Sequence, residues 1–448
     1  MRLRILGTTL AVSLAAAAAP NTPPTFHKDV LPVLQKRCQE CHRPGEIGPM
    51  SLLSYQDARP WAKAMREAVL SKKMPPWFAD AERGKFENDR SLAPQEIDAL
   101  VAWADSGARE GDAKDAPGPV HFADGWSIGK PDVVLELLNA FPVPASGVVD
   151  YQFIVVPSGF TEDKWVEKVE VRPGVRSVVH HVVVRSREPG SPWLANARPG
   201  VPMPSPPNAE GRVQIGQAGK RPEDKGVGRF LAEPGVEIIC TYVPGGVPYL
   251  TKPGQARLVK AGSDLVFQIH YTTNGKAAQD RTRIGFVFAK NPPKERLRNM
   301  LVYNPLLRIP AGAPNQRVEA RATLHETAQL VSLFPHMHVR GKGFEYRAVY
   351  PTGESEVLLR VPKYDFNWQL TYYLDKPKTL PKGTRIECTA WFDNSPNNPH
   401  NPDPNAEVFW GDQTWEEMLA GFFDLAFDVS LDPRDLTRPR PAAARGLD

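Results

Sequence analysis

Apolar residues between positions 26 and 110 recur with the spacing of helix faces. One predicted helix runs from Tyr55 to Ser71 and should end before Met74-Pro75-Pro76, because proline cannot continue a helix. Its expected inward face is Trp61, Ala64, Met65, Ala68 and Val69. A second helix begins near Ala93 and ends at Gly107, with Ile97, Leu100, Val101, Trp103 and Ala104 facing inward. Residues 24–110 are therefore predicted to form a small all-α domain.

From about 130 to 430 the pattern changes to short β-branched and aromatic runs separated by glycine and proline, which is typical of β-sandwiches or jelly rolls. The runs are 151–156, 178–184, 237–243, 265–271, 284–288, 329–334, 344–349, 385–392 and 422–427. About 300 residues are too many for one sandwich, so two are expected, joined near Lys290–Pro293. The predicted chain is multidomain, with a linker at 111–129, all-β sandwiches at 130–291 and 292–432, and a disordered tail at 433–448.

The first 19 residues predict export to the periplasm or the cell exterior. Arg2 and Arg4 precede a short apolar run, and Ala17-Ala18-Ala19 offers a small-residue cleavage site. The run is shorter than the ~20 apolar residues that span a bilayer, and no later segment is long enough, so we expect no membrane span. A net charge of +4 without a dense basic patch argues against nucleic-acid binding. Four cysteines are too few for a disulfide framework.

Cys38-Gln39-Glu40-Cys41-His42 is the C-x-x-C-H pattern of covalent haem attachment. Two thiols one turn apart can form thioethers with the haem vinyl groups, and the adjacent histidine can bind the iron. A zinc site is disfavoured because the chain has no second cysteine pair, and a thioredoxin-type site because no β-α-β unit surrounds the motif. We predict one haem c held by Cys38, Cys41 and His42.

The sixth ligand of that haem is expected to be a methionine, since a thioether opposite histidine suits electron transfer. The candidates are Met50, Met65 and Met74, and Met65 is better explained as helix packing. Residues 26–110 resemble a small class I cytochrome c domain, a family that places a Met-Pro loop after its middle helix. This resemblance favours Met74, with Met50 as the alternative.

Five histidines lie on three apolar strands of the β half. His180 and His181 are adjacent, so both can reach one metal only if a bulge or a strand end turns one of them. Alone, this pair and the single His270 are better read as ordinary core or surface histidines. His336 and His338 are spaced to point to one face of a strand, a natural bidentate arrangement. Together the five indicate metal binding.

Imidazoles alone suit zinc, copper and iron alike, whereas a thioether ligand would favour copper. Met418 follows a long Asn/Pro loop and precedes the run 422–427. Taken by itself, this methionine would more often be an apolar packing residue.

The order of these motifs resembles the copper type II, ascorbate-dependent monooxygenases, the family of peptidylglycine α-hydroxylating monooxygenase and dopamine β-monooxygenase. The resemblance covers roughly residues 130–430. The motifs are His180-His181, Tyr242-Val243-Pro244-Gly245, Gln268-Ile269-His270-Tyr271, His336-x-His338, Gly341-Lys342 and Glu416-Glu417-Met418.

The resemblance implies two jelly-roll domains with one copper in each. His180, His181 and His270 would hold an electron-storing copper, and His336, His338 and Met418 the copper that binds O2 and hydroxylates the substrate. The implied reaction is R–H + O2 + 2 e⁻ + 2 H⁺ → R–OH + H2O. Phe334 stands where peptide-amidating members carry a substrate-binding arginine, so the resemblance does not imply their substrate for this chain.

The sequence therefore predicts an exported copper-dependent monooxygenase acting on a small organic molecule with O2. Electrons would come through the haem domain, from ascorbate or another reductant, with a redox partner protein as a further source. Two alternatives remain open: a non-enzymatic haem and copper electron-transfer protein, and a binding module in which the metal is structural. Cys240 and Cys388 fall in different predicted domains and are expected to be unpaired.

Overall fold

A computed structural model describes residues 23–122, 125–204, 229–230, 235–248 and 251–438 of the chain. It is rich in β-structure, with 36% strand and 13% helix. The predicted signal segment lies outside the described residues. Among the residues described, no helix is both long and apolar enough to cross a membrane.

Helices lie in the N-terminal part of the described chain. After a π-helical turn at Phe26–Val30, its helices are α1 (Leu31–Arg37), α2 (Tyr55–Ala58), α3 (Ala62–Leu70) and α4 (Pro94–Asp105). Buried side chains from all four helices form one small core around Phe26 and Trp103.

The helix predicted over 55–71 differs from the structure in two ways. Pro60 lies in a 3₁₀ turn that separates α2 from α3, because proline lacks the N–H of a continuous helix. The predicted inward face was also wrong at Trp61, which is 43% exposed. Ala64 is also exposed, whereas Val69 is buried as predicted. Ala58 and Ala62 are the further buried positions of this segment, again at helical spacing.

The rest of the described chain is built from 22 strands. In the first half these are β1 (Val133–Glu136), β2 (Phe141–Val143), β3 (Gln152–Pro157), β4 (Lys164–Arg172), β5 (Val179–Arg187), β6 (Met203–Pro204), β7 (Arg229–Phe230), β8 (Val236–Tyr242), β9 (Gln255–Val259), β10 (Asp264–Tyr271), β11 (Ala278–Asp280) and β12 (Arg283–Phe288). In the second half they are β13 (Glu295–Tyr303), β14 (Arg308–Ile309), β15 (Gln316–Thr323), β16 (Ala328–His336), β17 (Gly341–Val349), β18 (Ser355–Val361), β19 (Tyr372–Leu380), β20 (Arg385–Phe392), β21 (Val408–Phe409) and β22 (Ala420–Asp428). All nine predicted runs fall on strands.

Two layers of sheet enclose a core in each half. In the first half, the sheet β6-β3-β10-β5-β8 faces β1-β12-β4-β9, and side chains from both layers share one core. In the second half, β13-β22-β16-β19 faces β15-β20-β17-β18 around another. Each half is therefore a sandwich, and we call them the first and second sandwich.

The two sandwiches share one sheet, which the sequence did not predict. Strand β13 pairs in parallel with β9, and this pairing joins one layer of each sandwich into a single nine-stranded sheet. Two ion pairs with largely buried side chains cross the junction. Arg257 contacts Asp424 at 2.9 Å, and Arg296 contacts Glu237 at 2.7 Å. These contacts fix the sandwiches relative to one another.

The helical part docks against both sandwiches. Glu46 forms ion pairs with Arg172 at 3.6 Å and with Arg176 at 3.2 Å in the first sandwich. The Asn88 side chain donates to the Thr371 carbonyl and accepts from the Tyr373 N–H, at the start of β19. The cytochrome c-like identity of this part stays a prediction.

The prediction of a disordered tail from position 433 was wrong for its first residues. Pro433–Leu436 forms a 3₁₀ turn in which Leu436 is completely buried in the core of the second sandwich. The polar composition of this segment gave no sign that one residue, Leu436, would be buried. Residues 439–448 lie outside the described part of the chain.

Candidate metal centres

The first histidine group lies where β5 pairs with β10. His181 and His270 are directly opposite one another, but the next pair joins Tyr271 to Val179, so His180 is the extra residue of a β-bulge. A bulge turns a side chain that regular alternation would send to the other face. It therefore supplies the local distortion that the adjacent histidines require.

The three rings converge on one point. Their candidate ligand atoms all lie within 4.8 Å of one another, and the Nδ1 atoms of His180 and His181 are 3.1 Å apart. His180 Nε2 and His270 Nδ1 are buried and have no hydrogen-bond partner within the described chain. Because unpartnered buried nitrogen atoms are costly, this arrangement fits a site built for a metal ion.

Burial keeps these imidazoles neutral. It lowers the pKa of His180 to about 4 and that of His270 to about 3, and it holds the pKa of His181 well below its usual range. Neutral imidazole is the form that binds a metal, since a protonated ring nitrogen has no free lone pair.

The second histidine group begins at the end of β16, where His336 is the last strand residue and His338 follows it. Their ring centroids are 5.2 Å apart. His336 Nδ1 lies 2.6 Å from Gln369 Oε1, and His338 Nδ1 lies 3.0 Å from the Glu416 carbonyl oxygen. Both rings can therefore donate from Nδ1, which leaves Nε2 free for a metal. Burial lowers their pKa values to about 4 and about 3, respectively.

Met418 lies two residues before β22 and packs, partly buried, in a small apolar cluster with Leu301, Tyr303 and Ala420. His336 is paired with Ala420 of β22, so the antiparallel register leads Met418 towards His338. Met418 also lines the same cavity as both histidines. The structure thus places the three predicted ligands of the second site in one region.

Glu417 holds this region together, although the sequence reading gave it no role. Its fully buried carboxylate accepts the backbone N–H groups of His338 at 2.9 Å, Arg340 at 2.6 Å and Met418 at 3.3 Å. Burial raises the pKa of this carboxyl to about 8, against the lowering effect of those N–H groups. One side chain therefore connects the backbones of two predicted ligands.

Replacing Glu417 with alanine should lower the free energy of unfolding of the metal-free protein by more than about 3 kcal/mol, because three buried N–H groups lose their acceptor. The Glu417→Gln variant keeps one carbonyl oxygen and should lose distinctly less. Urea unfolding measures both. A loss below about 1 kcal/mol in the alanine variant would contradict this role of the carboxylate.

A cavity of about 1120 Å³ lies between the two sandwiches and reaches both histidine groups. Near His336 its wall is aromatic, with Phe334 and Phe422 stacked at 5.6 Å between ring centroids. Tyr151 stands at the first group, 4.5 Å from the His270 ring and 5.4 Å from the His181 ring. A space of this size can admit a small organic molecule.

The Cys38-to-His42 motif follows α1. Burial raises the pKa of the Cys38 thiol to about 12 and also raises that of Cys41. His42 Nδ1 lies 3.3 Å from the Met50 carbonyl oxygen, so Nε2 is left for an axial ligand bond. Gly48 permits this loop, since a Cβ there would lie 2.6 Å from the Cys41 carbonyl oxygen. Both thiols are free, and the set of donors fits a covalently attached haem.

The two candidate sixth ligands have different surroundings. The Met50 side chain packs in the same helical core as Cys38. Met74 follows α3 and precedes Trp77, whose ring contacts Tyr372 of the second sandwich at 4.9 Å. Both assignments remain predictions.

The remaining cysteines agree with the expectation that they are unpaired. Cys240 and Cys388 are free thiols, the first on β8 and the second buried on β20. Burial raises the pKa of Cys240 to about 12.

Comparisons with known proteins do not identify the chain. No protein-family model and no curated protein sequence matches it. Similar solved structures include a chain from infectious bursal disease virus Gx strain, with 9% identity, 69% of this chain and 74% of that chain covered, and a TM-score of 0.18. The mavirus major capsid protein gives 8% identity, coverage of 71% and 92%, and a TM-score of 0.18. TM-scores this low carry no argument.

Proposed function

We propose that the chain is an exported, copper-dependent monooxygenase that hydroxylates a small organic substrate with O2. The observation that carries the proposal is the convergence of His180, His181 and His270 through a β-bulge, with His181 lining the cavity that His336 and His338 also line. In this proposal the sandwiches are jelly rolls with one copper each, and the helical part is a cytochrome c-like domain carrying one haem.

The types of donor support copper at both positions. Three neutral imidazoles suit a metal that cycles by one electron, and two imidazoles with the Met418 thioether favour reduced copper over zinc. When bound, the coppers would supply one-electron storage and O2 chemistry, and the haem would supply electron transfer.

The protein's own side chains would orient the ligands and the substrate. Gln369 fixes the ring of His336, and Glu417 fixes the backbone of His338. Such outer partners typically account for 10–100-fold in metal affinity or activity. The aromatic wall of Phe334 and Phe422 would bind an apolar part of the substrate beside the second site.

Electrons would enter through the docked helical part. Cys41 and Glu40 border a small cavity of about 60 Å³ against Tyr242 on β8, and β8 pairs with β5, which carries His181. Because Arg90 also hydrogen-bonds the Gly245 carbonyl, the haem motif is fixed beside the first sandwich. Ascorbate or another reductant, acting directly or through a partner protein, would supply the electrons that this path carries.

The test is to purify the exported full-length chain, measure its metal and haem, and then screen small aromatic and aliphatic substrates for O2-dependent hydroxylation. About two coppers and one covalent haem per chain are expected, as the two ligand sets and the single C-x-x-C-H motif require. Zinc without copper would overturn the proposal. Two coppers with no substrate-dependent O2 uptake would favour the electron-transfer alternative.

A further inference from the structure

The loop between β18 and β19, residues 362–371, is anchored on the second histidine group. The Tyr364 hydroxyl accepts the Met337 N–H at 3.1 Å and donates to the Met337 carbonyl at 2.8 Å, between His336 and His338. Gln369, near the other end of the loop, bonds the His336 ring. The loop is therefore held at two points around the second candidate metal site.

Between these two anchors, Phe366 reaches the other sandwich. Its ring stacks on His180 with 5.0 Å between centroids and 19° between planes. The same ring meets His338 edge-on, at 6.3 Å and 84°, and lies 6.4 Å from His270. One phenyl ring thus contacts members of both histidine groups.

We propose that Phe366 is a positioning residue that holds the two candidate metal sites at a fixed spacing by packing its ring between His180 and His338. The role given to Phe366 rests on the proposed function, whereas the ring contacts themselves involve only side chains of this protein. Stacked and edge-to-face rings have preferred separations, so a phenyl group sets a spacing that an aliphatic side chain does not. The His180 ring on which it stacks has a buried Nε2 with no hydrogen-bond partner among the described residues.

The loop is suited to this role because it belongs to the second sandwich and touches the first at a further point. Gly245 has a φ of +70°, and a Cβ there would lie only 3.3 Å from the Trp368 ring, so glycine favours the close approach of these two segments. Phe366 and Trp368 therefore meet the first sandwich at two places along one loop. A loop held in this way can keep the Phe366 ring between the two histidine groups while the nine-stranded sheet that joins the sandwiches stays unchanged.

The first test uses the metal-free protein and diethyl pyrocarbonate, with mass spectrometry of the modified histidines. In Phe366→Ala, His180 should be modified several-fold faster than in the unaltered protein, because its ring loses its cover. Phe366→Tyr should restore the slow rate, since it keeps the ring. Equal rates in the alanine variant and the unaltered protein would overturn the proposal.

The second test loads copper(II) and records electron paramagnetic resonance spectra. Dipolar broadening between two coppers falls with the cube of their distance, so it should weaken in Phe366→Ala and recover in Phe366→Tyr. Phe344→Leu, which alters a buried ring in the core of the second sandwich, is the control for general loosening and should keep the broadening.

The two tests separate this proposal from the proposed function. If copper does not bind but His180 is exposed in Phe366→Ala, the enzyme assignment fails and the positioning role stands. If copper binds and the substrate is hydroxylated, but Phe366→Ala changes neither the modification rate nor the broadening, the positioning role fails alone.

Discussion

Replacing His336 with alanine is expected to reduce substrate-dependent O2 consumption by more than about 100-fold and to remove one of two bound coppers. Loss of a residue that only orients a metal ligand typically lowers metal affinity or activity 10–100-fold. His336 is itself a proposed ligand, so its loss should cost at least the upper end of that range. The residue is half-buried, and its Nδ1 is occupied by Gln369, so only Nε2 remains to bind the metal. The first copper, at His180, His181 and His270, should stay bound.

A graded series strengthens this experiment. Gln369→Leu removes the partner of the ring but not the ring, so activity should fall by the smaller factor of about 10–100. Met418→Ala should lose turnover while two imidazoles still hold the metal weakly. His400→Ala is the matched control, because this histidine is exposed and has no proposed role.

Copper content by mass spectrometry and O2 uptake under reductant are the measurements for the series. Unchanged substrate-dependent uptake in both His336→Ala and Met418→Ala would refute the hydroxylase assignment. Loss of both coppers in His336→Ala would instead show that the two sites do not bind independently.

The sequence singled out the histidines that the structure brings together, but not the way in which they are assembled. The H-x-H spacing could be read directly, because strand geometry sends alternate residues to one face. The His180-His181 pair led to a conditional prediction, that a bulge must turn one ring, and the structure contains that bulge. In both cases the geometry of a single strand was sufficient to predict how the histidine rings could converge.

Other features depend on residues far apart in the chain and could not be found this way. Gln369 and Phe366 lie in a loop without periodicity, and only the folded second sandwich brings them to the histidines. Strands such as β4 and β15 were missed because charged residues alternate with their buried ones. The parallel pairing of β9 with β13 has no local signal at all.

Acidification of the metal-free protein should cause a steep loss of stability below about pH 6.5, the ordinary pKa of histidine. Burial lowers the folded-state pKa of five imidazoles below that level, to about 3 to 4 for His180, His270, His336 and His338 and well below the usual range for His181. Above pH 6.5 they are neutral in both states. Below it the unfolded chain binds protons that the folded chain does not, so the free energy of unfolding falls until the pH reaches the folded-state values.

Each such histidine contributes up to about 1.4 kcal/mol per pH unit, so several together should remove several kcal/mol between pH 6.5 and 5.5. Glu417 acts in the opposite sense. Its folded-state pKa of about 8 exceeds the ordinary value of 4.5, so it adds stability as the pH falls from 8 towards 4.5. Because one carboxyl opposes five imidazoles, the free energy of unfolding should be highest near pH 6.5, the upper end of the range over which the histidines act.

Urea unfolding of the metal-free chain at a series of pH values measures this dependence. His338→Gln should make the slope below pH 6.5 shallower by up to about 1.4 kcal/mol per pH unit, because one proton-binding difference between the folded and unfolded states is removed. His400→Gln, at an exposed position, should leave the slope unchanged. A flat profile between pH 6.5 and 4.5 would mean that the imidazoles are open to water in the metal-free protein, which contradicts the buried centres described above.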